Sequence, residues 1–104
     1  MLLKEEILDQ IKNQIKTIFD PEIPVDIYEL GLIYNVKLLH NNKKVEVEMT
    51  LTSPNCPEAQ SIPNNVRKAI EFLDLFDEVI VKIVWDPPWD RTKMSEVAKL
   101  ALNL

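Results

Sequence analysis

This chain is short of several residue types, and each shortage rules something out. Its 104 residues include one cysteine, one histidine and one glycine. A single cysteine makes no intramolecular disulfide. Cys56 and His40 together fall two donors short of a tetrahedral nitrogen- or sulfur-ligated zinc site. One glycine leaves no phosphate-cradling glycine loop. No apolar run reaches the ~18 residues a membrane-spanning helix needs. The opening Met1-Leu2-Leu3-Lys4-Glu5-Glu6 turns acidic where a secretory leader would carry its apolar core. Twelve Lys and Arg stand against seventeen Asp and Glu, a net charge of −5, and no window forms the basic stripe of a nucleic-acid binder. These absences predict a cytoplasmic protein with neither a nucleic-acid nor a membrane partner.

What is present reads as one globular domain, residues 1–104. With 46% hydrophobic and 28% charged residues, the composition suits a folded core of its own. Apolar residues at Leu3, Ile7, Ile11, Ile15, Ile18 and Phe19 recur at steps of three and four, which predicts an amphipathic helix ended by Asp20-Pro21. The stretch from Asp20 to Gly31 holds two prolines and no clean period. It predicts an irregular segment with a helical turn at Ile27 to Leu30. Gly31, the lone glycine, marks a backbone angle or close approach that other residues resist.

A strand from Leu32 to Leu39, a turn at His40 to Lys43 and an alternating strand from Val45 to Thr52 predict an antiparallel hairpin. The second helix carries a stripe of Ala59, Ile62, Val66, Ala69, Ile70 and Leu73. Pro57 fits its first position and Cys56 its N-cap. Pro63 predicts either a kink or a short turn before the helix proper. A third strand runs from Glu78 to Trp85. A last helix uses Met94, Val97, Ala98, Ala101 and Leu102, with Thr92 or Ser95 near its start. The order αββαβα predicts an α+β fold, a small three-stranded mixed sheet covered by helices on one face.

Connectivity then places the chemistry. If the second and third strands run parallel, as crossovers of this kind do, three segments meet at one sheet end. They are Asp20 to Gly31, Thr52 to Cys56 and Asp86 to Trp89; His40 falls at the other end. At a helix N-terminus the Cys56 thiol should ionise more readily, giving a nucleophile or soft-metal ligand, although a free cysteine also serves as a small core residue. Asp20, Glu22, Asp26 and Asp86 are candidate hard ligands or tuning groups, and equally ordinary turn formers. Thr50 and Thr52 read first as outward strand positions, and otherwise as side chains that hydrogen-bond the loop, with Thr52 counted among the candidate site residues. Trp89 reads as a lid or partner anchor, or as a cap on the core. With His40 placed away from Cys56, the topology speaks against a Cys–His enzyme.

Four stretches carry a family resemblance: Asp20-Pro21-Glu22-Ile23-Pro24-Val25, Tyr28-Glu29-Leu30-Gly31-Leu32-Ile33-Tyr34, Thr50-Leu51-Thr52-Ser53-Pro54-Asn55-Cys56-Pro57 and Asp86-Pro87-Pro88-Trp89. With Met94-Ser95 following, they resemble the SufT/PaaD-like family of metal–sulfur cluster assembly proteins. The resemblance implies the iron–sulfur cluster assembly fold, a reactive cysteine at Cys56, an acidic partner at Asp20, and a non-enzymatic role in maturing iron–sulfur proteins. Glu58 stands where relatives often have a small or apolar residue. The cysteine-rich tail typical of PaaD-type chains is absent, so the SUF branch fits better than maturation of aromatic-ring oxygenases.

A cluster takes four ligands. The expected cargo is therefore a transient iron–sulfur cluster or iron held by Cys56 together with a partner chain, with no tightly bound cofactor. The expected partners are an assembly scaffold, apo-client proteins and, as one arrangement, a second copy in a homodimer. A client adapter and a thiol redox protein are the alternatives.

Overall fold

The computed structural model describes residues 3–20, 24–52 and 61–102. Helix α1 spans Lys4–Ile15, strands β1 and β2 span Ile33–Leu39 and Lys44–Met49, and helix α2 spans Ser61–Glu71. Strand β3 spans Glu78–Ile83, a 3-10 turn spans Arg91–Lys93, and helix α3 spans Glu96–Ala101. The sheet order is β1-β2-β3, with β1 antiparallel and β3 parallel to β2. The predicted α+β architecture and its mixed three-stranded sheet are both present.

The alternation in β2 decides which face is covered. Val45, Val47 and Met49 are fully buried. Their register partners are Val36 and Leu38 on β1 and Val79, Val81 and Ile83 on β3, and these pack against the same core. Ile7, Ile11 and Ile15 of α1 and Ile62, Val66 and Ile70 of α2 close that core from above. Each such side chain contributes about 1.5–3 kcal/mol on burial. The opposite face is a charge ladder, in which Lys37 pairs with Glu48 at 3.3 Å, Lys82 with Glu46 at 3.0 Å and Lys44 with Glu78 at 3.6 Å. Exposed pairs of this kind are worth about 0–1 kcal/mol each. They keep this face wet rather than hold the fold.

Several boundaries differ from the expectation, each for a local reason. Helix α1 stops at Ile15, short of Phe19. Thr17 N–H and its hydroxyl both donate to the Gln14 carbonyl, and Ile18 N–H donates to Ile15, so the chain tightens into a turn. Phe19 then forms an antiparallel bridge with Asp26 and is 58% exposed. Strand β2 ends at Met49 and β3 at Ile83, where one further bond, Val84 N–H to the Met49 carbonyl at 2.8 Å, closes the ladder. Pro63 lies in the first turn of the described α2 span. The expected positions of Pro57, Glu58 and Ala59 fall outside the described residues. Through α3 and its two flanks the buried stripe is Met94 before the helix, Ala98 within it and the half-buried Leu102 after it, a strict step of four, while Val97 and Ala101 face solvent. Ser95 is its N-cap, accepting from the Ala98 N–H at 3.1 Å.

Both ends of the sheet are fixed by backbone geometry. His40, Asn41 and Asn42 take positive φ in the β1–β2 turn, which asparagine tolerates better than most residues. Asp77 N–H donates to Lys43 at 2.7 Å, so β3 begins beside that turn. The C-terminal ends of β2 and β3 therefore lie together at the other end, away from His40.

Candidate functional site

At that far end, hydrogen bonds gather the proline-rich segments. Ile27 N–H donates to the Ile18 carbonyl at 2.9 Å, Leu32 N–H to Ile27 at 3.2 Å, and Thr50 N–H to Leu32 at 2.8 Å. Residues 18–20, 25–32 and 49–51 are thus laced side by side. The expected helical turn is present, with Leu30 N–H bonded to the Asp26 carbonyl. It is clamped to α1 by Lys16, whose Nζ lies 3.2 Å from the Glu29 carboxylate, and by Lys12 and Lys16 over the Tyr28 ring at 5.1 and 5.5 Å.

The segment after β3 folds onto this turn. Trp89 Nε1 donates to the Leu30 carbonyl at 2.7 Å, Tyr34 Oη to the Pro87 carbonyl at 2.8 Å, and Ser95 N–H to the Glu29 carbonyl at 2.8 Å. Gly31 sits at the contact with φ +82°. A Cβ there would lie 2.1 Å from the Lys93 carbonyl oxygen, so both the backbone angle and the closeness require glycine. A shallow hollow of about 480 Å³ opens beside it, lined by Gly31, Ile33, Tyr34, Pro87 and Lys93. Lys93 Nζ is 5.3 Å from the Tyr34 ring centre. Burial, and secondarily the Asp90 carboxylate, push the Tyr34 hydroxyl above its ordinary pKa of 10.0.

The candidate residues fall into distinct settings. Asp20 is 5% exposed, and its N–H reaches the Val25 carbonyl at 3.4 Å. Asp26 spends one carboxylate oxygen on the Glu29 N–H at 3.0 Å, stiffening the turn. Trp89 packs half-buried against the core, with its indole N–H committed to Leu30. Thr52 is half-buried and Asp86 exposed. Cys56 and Glu22 lie outside the described residues. Among the described residues, no group of three or more His, Cys, Asp and Glu side chains is placed to hold a metal ion, and no helix is long and apolar enough to cross a membrane.

Two residues here escaped the sequence reading. Thr50, expected to point outward, is fully buried, and its hydroxyl has no hydrogen-bond partner among the described residues. The alternation of β2 ends at Met49, so Met49, Thr50 and Leu51 are buried in succession. A polar residue at the end of a period-two run, followed by an apolar one, was the available signal. Trp85, just past β3, is 48% exposed, a large aromatic surface at the loop-rich end.

Helices on one face of a mixed sheet, with irregular segments woven together at the end where the parallel strands finish, define a small α+β domain with its functional segments gathered at one sheet end. Residues 8–83 match the family model described as iron–sulfur cluster assembly protein. The chain belongs to that family, and specifically to its SufT-like members. It is 40% identical over 102 residues to an Fe-S protein maturation auxiliary factor of Bacillus subtilis, covering 98% of this chain and 99% of that one. It is 38% identical to the Fe-S protein maturation auxiliary factor SufT of Staphylococcus aureus, covering 84% and 98%. A crystal structure of a domain of unknown function, DUF59, from Bacillus anthracis superposes with a TM-score of 0.86 at 36% identity, covering 96% and 94%.

Proposed function

We propose that this protein is a maturation factor for iron–sulfur proteins, which accepts an iron–sulfur cluster or iron as cargo and passes it to apo-clients without catalytic turnover. The observation that carries this reading is the near end-to-end similarity to a maturation auxiliary factor, joined to a chain with a single thiol. In this reading Cys56 binds iron as a thiolate and loses its proton on doing so. The scaffold or client supplies the remaining ligands. Transfer is then an exchange of Cys56 for a client ligand, in which no electrons change hands.

The other candidates divide the labour. Asp20 and Glu22 serve the cargo as carboxylates beside the thiol chemistry of Cys56, and Thr52 supports them from the end of the sheet. Asp26 and Trp89 hold the 26–31 turn in place, and Asp86 remains open to a partner. The committed indole N–H of Trp89 favours this supporting role over that of a free client anchor. Expected partners are an assembly scaffold and apo-client proteins in the cytoplasm.

The test is anaerobic incubation with ferrous iron and sulfide, read by the visible chromophore and by activation of an apo-client. Wild type should give both, and Cys56→Ser should lose both. An unchanged Cys56→Ser protein would remove the thiol from the mechanism.

A further inference from the structure

The outer edge of β3 is unpaired among the described residues, and its backbone orientation can be read from its inner bonds. Glu78 N–H donates to the Lys43 carbonyl at 3.4 Å and Val84 N–H to Met49 at 2.8 Å. In a parallel ladder alternate residues face the partner strand. The even-numbered residues of β3 therefore bond to β2, and the N–H and C=O groups of Val79, Val81 and Ile83 point outward. An open edge of this kind is a template for another strand.

We infer that the occupant is a second copy of this chain, with the two β3 strands antiparallel about a two-fold axis through Ile80. A dyad normal to the sheet pairs residues of equal parity, so Val79 faces Val81 of the second copy. Both have outward backbone groups, and two hydrogen-bonded pairs form. On the open face Ile80 meets Ile80, and Glu78 meets Lys82 twice. These are non-hydrogen-bonded pairs, whose side chains approach most closely. Glu78 and Lys82 have side chains 58% and 55% exposed, so each can reach across the dyad while keeping its own Lys44 or Glu46 neighbour.

Charge complementarity singles out this edge and this register. Centring β1 on its own middle residue, Val36, sets Lys37 against Asn35 and creates no opposite-charge pair. Moving the β3 dyad to Val81 sets Lys82 against Ile80 and Glu78 against Val84. Only the Ile80-centred register among these matches both charges and backbone donors. The result is a continuous six-stranded sheet.

The geometry also separates this dimer from cargo sharing. Antiparallel β3 strands send the C-terminal ends of β2 and β3 of the two copies in opposite directions. Thr52 of one copy and Thr52 of the other then lie toward opposite ends of the six-stranded sheet. Cargo loading through Cys56 is accordingly independent of this interface.

The experiment is sedimentation velocity from micromolar to millimolar protein, on wild type, Glu78→Lys, Lys82→Glu and an equimolar mixture of the two variants. Wild type should dimerise. Each variant places like charges opposite each other at two symmetric positions and should weaken self-association about tenfold. The mixture restores both opposite-charge pairs and should form heterodimers. Hydrogen exchange on wild type needs no variant, and the Val79 and Val81 amides should gain protection as concentration rises. A wild-type chain that stays monomeric, variants that dimerise undiminished, folded variants whose mixture stays monomeric, or concentration-independent exchange at Val79 and Val81 would each overturn the proposal.

Discussion

The missing side chain of Gly31 lets the Lys93 carbonyl approach so closely that a methyl group there would meet the oxygen at 2.1 Å. This contact docks the segment after β3 onto the turn before β1, with Trp89–Leu30 and Ser95–Glu29 as its flanking bonds. The loop-rich end of the domain is thereby built from segments more than fifty residues apart in the chain.

Gly31→Ala should therefore be among the most damaging small substitutions in this protein. The left-handed angle alone costs an alanine roughly 1–2 kcal/mol, and displacing the 90–95 segment adds to it. A total loss near 3 kcal/mol or more is expected. Chemical denaturation should report it as a lower midpoint, and Trp89 emission should shift red as its Leu30 bond is pulled apart. A variant as stable as wild type would show that the close contact is not made in solution.

Trp89→Phe keeps most of the apolar contact and removes only the donor to Leu30. The expected loss is about 1 kcal/mol, the net value of one hydrogen bond, plus part of the cost of an unsatisfied carbonyl. The remaining tryptophan, Trp85, is half-exposed, so emission from this variant should be readily quenched by acrylamide. Wild type should show a second, protected component.

How legible all this was depended on the range of the interactions. Helix α1, the hairpin, α2 and the parallel β3 follow from periods written in adjacent residues, such as Ile7, Ile11 and Ile15 or Val45, Val47 and Met49. The meeting of the turn before β1 with the segment after β3 followed from strand direction alone, whereas the expected third segment lies, past Thr52, outside the described residues. Ends of elements were less legible. Phe19 continues the helical stripe in sequence, but backbone bonds at Thr17 and Ile18 rotate it into solvent. Thr50 continues the polar alternation of β2, but its N–H is turned to Leu32, outside the ladder. The partner of Gly31 lies 62 residues away, so the need for glycine could be read while the identity of the neighbour could not. Asp26 and Trp89 could be named as special, but their hydrogen bonds to Glu29 and Leu30 depend on a turn that no period encodes.

Thr50→Val tests a hydroxyl that stability does not use. An unpartnered buried hydroxyl costs about 1–3 kcal/mol, so valine of nearly the same shape should raise the unfolding free energy by about 1 kcal/mol. If the same variant matures an apo-client less well, the hydroxyl serves the cargo end at the expense of stability. A destabilised variant would mean the hydroxyl has a partner after all.

Acid should loosen the C-terminal segment first. The Ser95 hydroxyl, and less strongly Lys16 and Lys12, hold the Glu29 carboxyl below its ordinary value of 4.5 against an opposing effect of burial. Because the folded pKa is the lower one, the unfolded chain binds more protons in the window between the two values. The stabilisation is complete above about 4.5 and is lost as pH falls through the folded pKa. Melting temperatures measured from neutral pH into the acid range should fall less steeply for Glu29→Gln than for wild type, from a lower neutral starting point. Exchange at the Ser95 and Ala98 amides should rise before exchange in β2. Parallel acid limbs for the two proteins would place the acid sensitivity elsewhere.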